Sequence, residues 1–253
     1  SILAMDYAAF QKGQRNFEVL FQPSASTAFQ GMGITKNYLL INTLEHVKGG
    51  LQEWKFTKGK WTSRKVNLPT LGAVGVAALD AEHSDEYFLS YSDYLTPSVY
   101  MLAKAGSDKR ELLKSSPSFF DASPYMTEQK FATSKDGTKV PYFVVRRKDL
   151  KYDSSNPTLL YGYGGFQVSL TPGYSGGLGK TWLDKGGVYV VGNIRGGGEY
   201  GPRWHQAALK QNRHKAYEDM AAVAQDLVKR RITSAKHLGV QGGSNGGLLT
   251  GNM

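Results

Sequence analysis

Three times between residues 158 and 253, a short apolar run breaks directly into a cluster of glycines. Residues 158–161 lead into Gly162-Tyr163-Gly164-Gly165, residues 188–194 into Arg195-Gly196-Gly197-Gly198, and residues 238–241 into Gly242-Gly243-Ser244-Asn245-Gly246-Gly247. Apolar runs this short suit buried strands better than helices. A helical pattern over 215–231 separates the second from the third, with Tyr217, Met220, Ala221, Ala224, Leu227 and Val228 on one face. Strands alternating with helices predict a parallel α/β sheet. In such sheets ligands sit at the carboxyl ends of the strands, where these glycine loops fall.

The first part of the chain reads differently. Of the 30 glycines, 20 lie in residues 158–253. Residues 1 to about 115 show short segments rich in aromatic and β-branched residues, at 16–22, 37–43, 51–57, 60–68, 86–92 and 98–103. Polar turns separate them, and the pair around Lys58-Gly59 predicts a hairpin. Strands at this spacing suit a sandwich or propeller blades, and the strands alone leave that choice open. A further hairpin is expected at 131–134 and 139–147, turning at Asp136-Gly137.

Composition removes several classes of function. The chain has 253 residues, with Lys+Arg 31 against Asp+Glu 21 for a net charge of +10. Its basic residues are scattered, and the tightest cluster, Lys229-Arg230-Arg231, closes the helical pattern, where cations complement the helix dipole. No nucleic-acid partner is therefore expected. No apolar run approaches the roughly 18 residues of a membrane span, so no membrane partner is expected either. The absence of cysteine excludes disulfides and thiolate chemistry but leaves the compartment open. The five histidines, at 46, 83, 205, 214 and 237, show no metal-binding spacing. Neither metal nor organic cofactor is expected.

Two glycine motifs carry candidate chemistry. Gly242-Gly243-Ser244-Asn245-Gly246 is a G-x-S-x-G flanked by strand and helix, the setting of a nucleophile elbow; the competing reading is a glycine turn that happens to hold a serine. Gly196-Gly197-Gly198-Glu199-Tyr200-Gly201 satisfies G-x-G-x-x-G after a strand, with Glu218 and Asp219 about 20 residues on, as a dinucleotide fold requires. Those acids lie inside a helical pattern rather than capping a strand, and Pro202-Arg203-Trp204 is a bulky helix start, so a structural loop is the better reading. Gly179-Lys180-Thr181 has the tail of a P-loop, but its first glycine is out of register.

Three blocks in order, Leu160-Tyr161-Gly162-Tyr163-Gly164-Gly165-Phe166, Asn193-Ile194-Arg195-Gly196-Gly197-Gly198-Glu199-Tyr200-Gly201 and Gly242-Gly243-Ser244-Asn245-Gly246-Gly247-Leu248-Leu249, resemble the prolyl oligopeptidase family of serine peptidases. Asn245 and Gly165-Phe166 are more similar to its prolyl endopeptidase branch than to its oligopeptidase B branch. The resemblance implies the last blades of a β-propeller over 1–117, followed by the nucleophile-containing half of an α/β-hydrolase domain over 118–253. It implies Ser244 as nucleophile, with the Tyr163 hydroxyl and the Asn245 backbone N–H as oxyanion donors. Phe166 and the Asn245 side chain would line the pocket for the residue before the scissile bond.

The substrate implied is a short peptide cut through an acyl-enzyme, after proline. In α/β-hydrolases the triad runs Ser, acid, His along the chain, so the acid and base are expected beyond Met253. The chain is accordingly expected to be part of a longer polypeptide whose remainder completes the fold, and to be inactive alone. An esterase or aminopeptidase-like hydrolase and a non-enzymatic propeller binding module are the alternatives.

Overall fold

The computed structural model describes residues 1–69 and 71–253. The chain begins with strand β1 (Ile2–Ala4), a short helix α1 (Tyr7–Gln11) capped by Asp6, and β2 (Glu18–Phe21), which pairs antiparallel with β1. Two four-stranded antiparallel meanders follow. The first holds β3 (Thr27–Ile34), β4 (Tyr38–Glu45), β5 (Lys48–Thr57) and β6 (Lys60–Lys65); the second holds β7 (Ala73–Ala78), β8 (Glu86–Ser92), β9 (Val99–Lys104) and β10 (Arg110–Ser115). Each strand pairs with its chain neighbour inside its own sheet, which is the construction of propeller blades. The faces of the two blades meet through Leu40, Leu51, Tyr87 and Leu89.

One buried carboxylate ties the blades together. Glu53 is 1% exposed. It accepts hydrogen bonds from Tyr87 Oη at 2.9 Å, Arg64 Nε at 2.7 Å and the Gly106 N–H at 2.7 Å. Strands β3, β7 and β10 carry little sequence signal. The first contains two glycines, the second is mostly alanine, valine and glycine, and the third is largely exposed and charged. Pairing with a stronger neighbour specifies them, so their β-structure is a tertiary property.

The second half is built on a five-stranded mixed sheet. The hairpin β11 (Tyr125–Thr133) and β12 (Lys139–Arg147) turns at Asp136-Gly137, where Gly137 takes a φ of 86°. Then come β13 (Thr158–Gly162), α2 (Gly176–Thr181), β14 (Val188–Gly192), α3 (Pro202–Gln206), α4 (His214–Lys229), β15 (Leu238–Gln241) and α5 (Asn245–Gly251). The strand order is β11-β12-β14-β13-β15, with β14, β13 and β15 parallel. The chain places β14 on one side of β13 and β15 on the other. Such a reversal opens a crevice at the carboxyl end of the central strand.

Helix α4 is rotated from the face its pattern suggested. Ala216, Asp219, Met220, Val223 and Leu227 are buried; Tyr217 and Ala224 are half-buried, and Val228 is 40% exposed. The cause is an acid in the core. Asp219 is wholly buried and forks onto Arg195, whose side chain is 4% exposed: Nη2 lies 2.7 Å from Oδ1 and Nε 2.9 Å from Oδ2. The Arg195 N–H and Ser134 Oγ also donate to Asp219, and Arg195 Nη1 reaches Asp136 Oδ2 at 2.5 Å. The guanidinium holds the Asp136 carboxyl well below its ordinary range. A helix, a strand end and a hairpin turn thus converge on one cation.

The blades and the sheet meet at the turn between β4 and β5. His46 and Val47 both adopt positive φ, 48° and 68°, which is costly for a β-branched residue. Val47 is fully buried beside Tyr94, Phe143 and Val191. His46 Nδ1 lies 2.9 Å from Tyr200 Oη, and Gln129 Nε2 donates to the His46 carbonyl. No helix among the described residues is long and apolar enough to cross a membrane.

Removing Asp219 takes from the buried Arg195 its fully buried partner and leaves only Asp136, at the partly exposed hairpin turn, to balance the charge. Asp219→Ala is therefore expected to destabilise the protein by about 3–5 kcal/mol, measured by urea denaturation. A change below about 1 kcal/mol would mean that Asp136 alone compensates Arg195.

Candidate active site

Ser244 sits between β15 and α5 with φ 52° and ψ −117°. That conformation is strained for a residue with a Cβ, at a cost of order 1–3 kcal/mol. Its side chain caps no helix N–H, and the residue is exposed. The outer glycines of the motif make the turn possible. A Cβ on Gly242 would lie 2.3 Å from Gly246 O, and one on Gly246 would lie 2.6 Å from Gly162 O. Both obstructions are backbone and cannot swing away. A Cβ on Gly243 would meet nothing within 4 Å.

Tyr163 leaves the same sheet edge next door. Tyr161 pairs in register with Gln241, so Tyr163 and Ser244 lie two and three residues beyond that pair on adjacent chain segments. Asn245 begins α5, where the first backbone N–H groups have no partner within the helix and form a natural anion site. Its side chain turns to the neighbouring loop: Nδ2 donates to Tyr163 O at 2.6 Å, and Oδ1 accepts from Arg213 Nη2 at 3.2 Å. Phe166 is 74% exposed with φ 52°, and Gln167 follows at φ 58°. The structure thus brings Ser244, Asn245 and Tyr163 to one edge, with Phe166 on the same loop as Tyr163.

The Gly196–Gly201 loop underlies this arrangement. A Cβ on Gly196 would lie 2.2 Å from Gly164 O, and one on Gly198 would lie 2.1 Å from Gln167 O. These glycines admit another segment of backbone. Their faces are occupied by the 164–168 loop, which leaves no cradle for a pyrophosphate, and α3 is only five residues long. The dinucleotide reading of this motif does not survive the geometry.

Glu199 of the same loop is buried at 1% exposure. Oε1 accepts from Leu170 N–H at 3.0 Å and from Asn193 Nδ2 at 3.3 Å, while Oε2 has no partner among the described residues. Burial pushes its carboxyl up to about 7. The folded protein thus keeps the Glu199 proton to a higher pH than the unfolded chain does. Stability from this site is complete below about pH 4.5 and falls as pH rises to about 7.

Sequence reasoning did not single out Arg213, Glu199 or Asn193 as site residues. The last two lay within the quoted blocks, but burial and pairing give them their roles. Arg213 stands in a polar stretch with no motif around it.

A strained serine turn at the carboxyl edge of parallel strands β14, β13 and β15, preceded by propeller blades, is the architecture of a propeller-fronted α/β-hydrolase. The model of the prolyl oligopeptidase N-terminal beta-propeller domain matches residues 2–116, and that of the prolyl oligopeptidase family matches 176–253. An uncharacterized peptidase, y4nA, of Sinorhizobium fredii is 47% identical over 253 residues, covering 99% of this chain and 35% of its own length. The prolyl endopeptidase of Elizabethkingia miricola is 40% identical over 188 residues, 74% of this chain and 26% of that relative. The solved structure of a post-proline cleaving enzyme from Rickettsia typhi superposes with a TM-score of 0.82 at 37% identity, over 94% of this chain and 34% of that one. The chain belongs to the prolyl oligopeptidase family and spans about a quarter to a third of the length of these relatives.

Two outcomes test this geometry. Gly243→Ala should fold with little loss, whereas Gly246→Ala should cost about 1–3 kcal/mol through overpacking against Gly162, measured by thermal and urea unfolding; equal effects would refute the elbow packing. Between pH 4.5 and 7.5, the protein should lose roughly 3 kcal/mol relative to Glu199→Gln. Parallel stability profiles for the two would show that Glu199 ionises freely.

Proposed function

We propose that this chain supplies the nucleophile and oxyanion donors of a serine peptidase that cuts short peptides, after proline. The observation that carries the reading is the strained Ser244 at the head of α5, directly beside the Tyr163 loop. On this reading residues 1–117 are propeller blades that limit access, and residues 118–253 belong to the catalytic domain.

The chemistry follows from the placement. Ser244 Oγ attacks the scissile carbonyl as a base takes its proton. The negative charge that develops on the carbonyl oxygen is met by the Asn245 N–H and the Tyr163 hydroxyl. The C–N bond then breaks, and the leaving amine takes a proton from the protonated base. Water hydrolyses the resulting ester by the same steps. One oxyanion donor is worth about 2.7–4 kcal/mol of barrier. Phe166, exposed on its loop, offers an apolar ring to the residue before the cut bond.

Among the described residues, no histidine ring hydrogen-bonds Ser244. The relatives are about three times as long as this chain. The reading therefore assigns the base and its orienting acid to residues outside the 253 of this chain.

Hydrolysis of a proline-containing chromogenic peptide by the full-length protein tests the proposal. Ser244→Ala should abolish turnover, and Tyr163→Phe should lower kcat by about 10²–10³. A peptide with alanine in place of that proline should be cut more slowly; an equal rate would remove the post-proline assignment. The 253-residue chain alone is expected not to turn over. Robust turnover by it, lost on Ser244→Ala, would place the base among its own histidines.

A further inference from the structure

Arg213 lies between a 3₁₀ turn (Lys210–Asn212) and α4, far in sequence from each glycine block. Its guanidinium is shared between the two loops that carry the proposed machinery. Nη1 donates to the carbonyl of Gly164, and Nη2 donates to Asn245 Oδ1 at 3.2 Å. Asn245 Nδ2 passes the link on to Tyr163 O at 2.6 Å. Two successive carbonyls, those of Tyr163 and Gly164, are thus held by one cation, the first through Asn245 and the second directly. Fixing both constrains the peptide plane between them and with it the backbone that carries the Tyr163 side chain.

The surroundings leave this loop no slack. Gly164 has φ 59°, and a Cβ there would lie 2.6 Å from the Ile194 side chain. A Cβ on Gly165 would lie 2.4 Å from Asn245 Nδ2. The Arg213 guanidinium is itself steadied over the Tyr217 ring, 5.4 Å from its centroid. Arginine suits the position because its planar fork serves two acceptors at fixed angles, whereas a lysine ammonium is a mobile point charge.

We propose that Arg213 is a positioning residue for the oxyanion site: it holds the Tyr163 loop and the Asn245 side chain in fixed relation to Ser244, so that the Tyr163 hydroxyl is aimed before the reaction begins. The inference rests on the assignment of Tyr163 as an oxyanion donor. Preorganised donors stabilise the transition state because they need not reorganise as charge develops, and a misplacement near 1 Å costs about 10²-fold in rate. Arg213 touches no reacting atom and acts through Tyr163 and Asn245. Its loss is a defect of kcat rather than of ground-state binding.

The test is a double-mutant cycle in the full-length protein with a proline-containing chromogenic peptide. Arg213→Met should lower kcat by about 10- to 100-fold and change KM by less than about threefold. In a Tyr163→Phe background, Arg213→Met should cost less than about threefold more, because the donor it positions is already gone. Arg213→Lys should fall between Arg213→Met and the parent, and it carries the same cycle should Arg213→Met not fold. An unchanged kcat in Arg213→Met, a loss confined to KM, or losses that multiply fully in the double variant would each overturn the proposal. An unchanged kcat in Tyr163→Phe would overturn the donor assignment and this inference with it; an unchanged kcat in Arg213→Met beside an impaired Tyr163→Phe would overturn this inference alone.

Discussion

Backbone-to-backbone approach at one edge of a sheet is the constraint on which the structure turns. Gly162 O faces the Cα of Gly246, Gly164 O faces that of Gly196, and Gln167 O faces that of Gly198, all at distances that leave no room for a Cβ. Three loops that would otherwise be held apart by side chains are stacked directly on one another. The result is a small, dense platform of polar backbone with few rotatable parts. Ser244 is forced into positive φ on that platform, and the strain is sustained because the flanking packing cannot relax.

Beneath the platform the support is electrostatic. Arg195 follows β14 and draws in Asp219 from α4 and Asp136 from the β11–β12 turn. A charge cluster this buried is weak evidence for net stability, since desolvation offsets much of the attraction. Its visible consequence is positional. It turns the Asp219 side of α4 into the core while Met220 stays packed beneath Gly162, and Arg213 stands at the amino end of the same helix. Helix α4 thus reaches the Gly162–Gly165 loop twice, through Met220 against Gly162 and through Arg213 at its amino end on Gly164.

The blades are coupled to this platform through the β4–β5 turn. His46 meets Tyr200, which lies beside Glu199 in the loop under Gln167. Among the described residues, Glu199, Asn193 and Tyr94 each leave a buried polar atom unpaired there, and Tyr94 comes from the second blade. Incomplete satisfaction at a junction between two units is costly in a core. These three groups sit where the second blade and the mixed sheet pack together.

The sequence by itself determined which segments run strand, glycine loop, helix, and that Ser244 heads one of these turns. Those features are local: short apolar runs, glycine density and the spacing of G-x-S-x-G are legible without knowing what packs where. The resemblance carried by three ordered blocks chose blades over a sandwich, which strand spacing alone had left open. Tertiary structure decided the remainder. The buried face of α4 follows from a partner 24 residues away, because Asp219 enters the core as the partner of the Arg195 guanidinium. Strands β3, β7 and β10 exist because neighbours pair with them. The G-x-G-x-x-G at 196–201 receives a backbone rather than a nucleotide because the 164–168 loop folds over it. Arg213 gains its place only when loops separated by 49 and 32 residues meet around one guanidinium. Periodicity and motif report what a segment prefers; which distant charge or carbonyl it meets depends on contacts that no local pattern encodes.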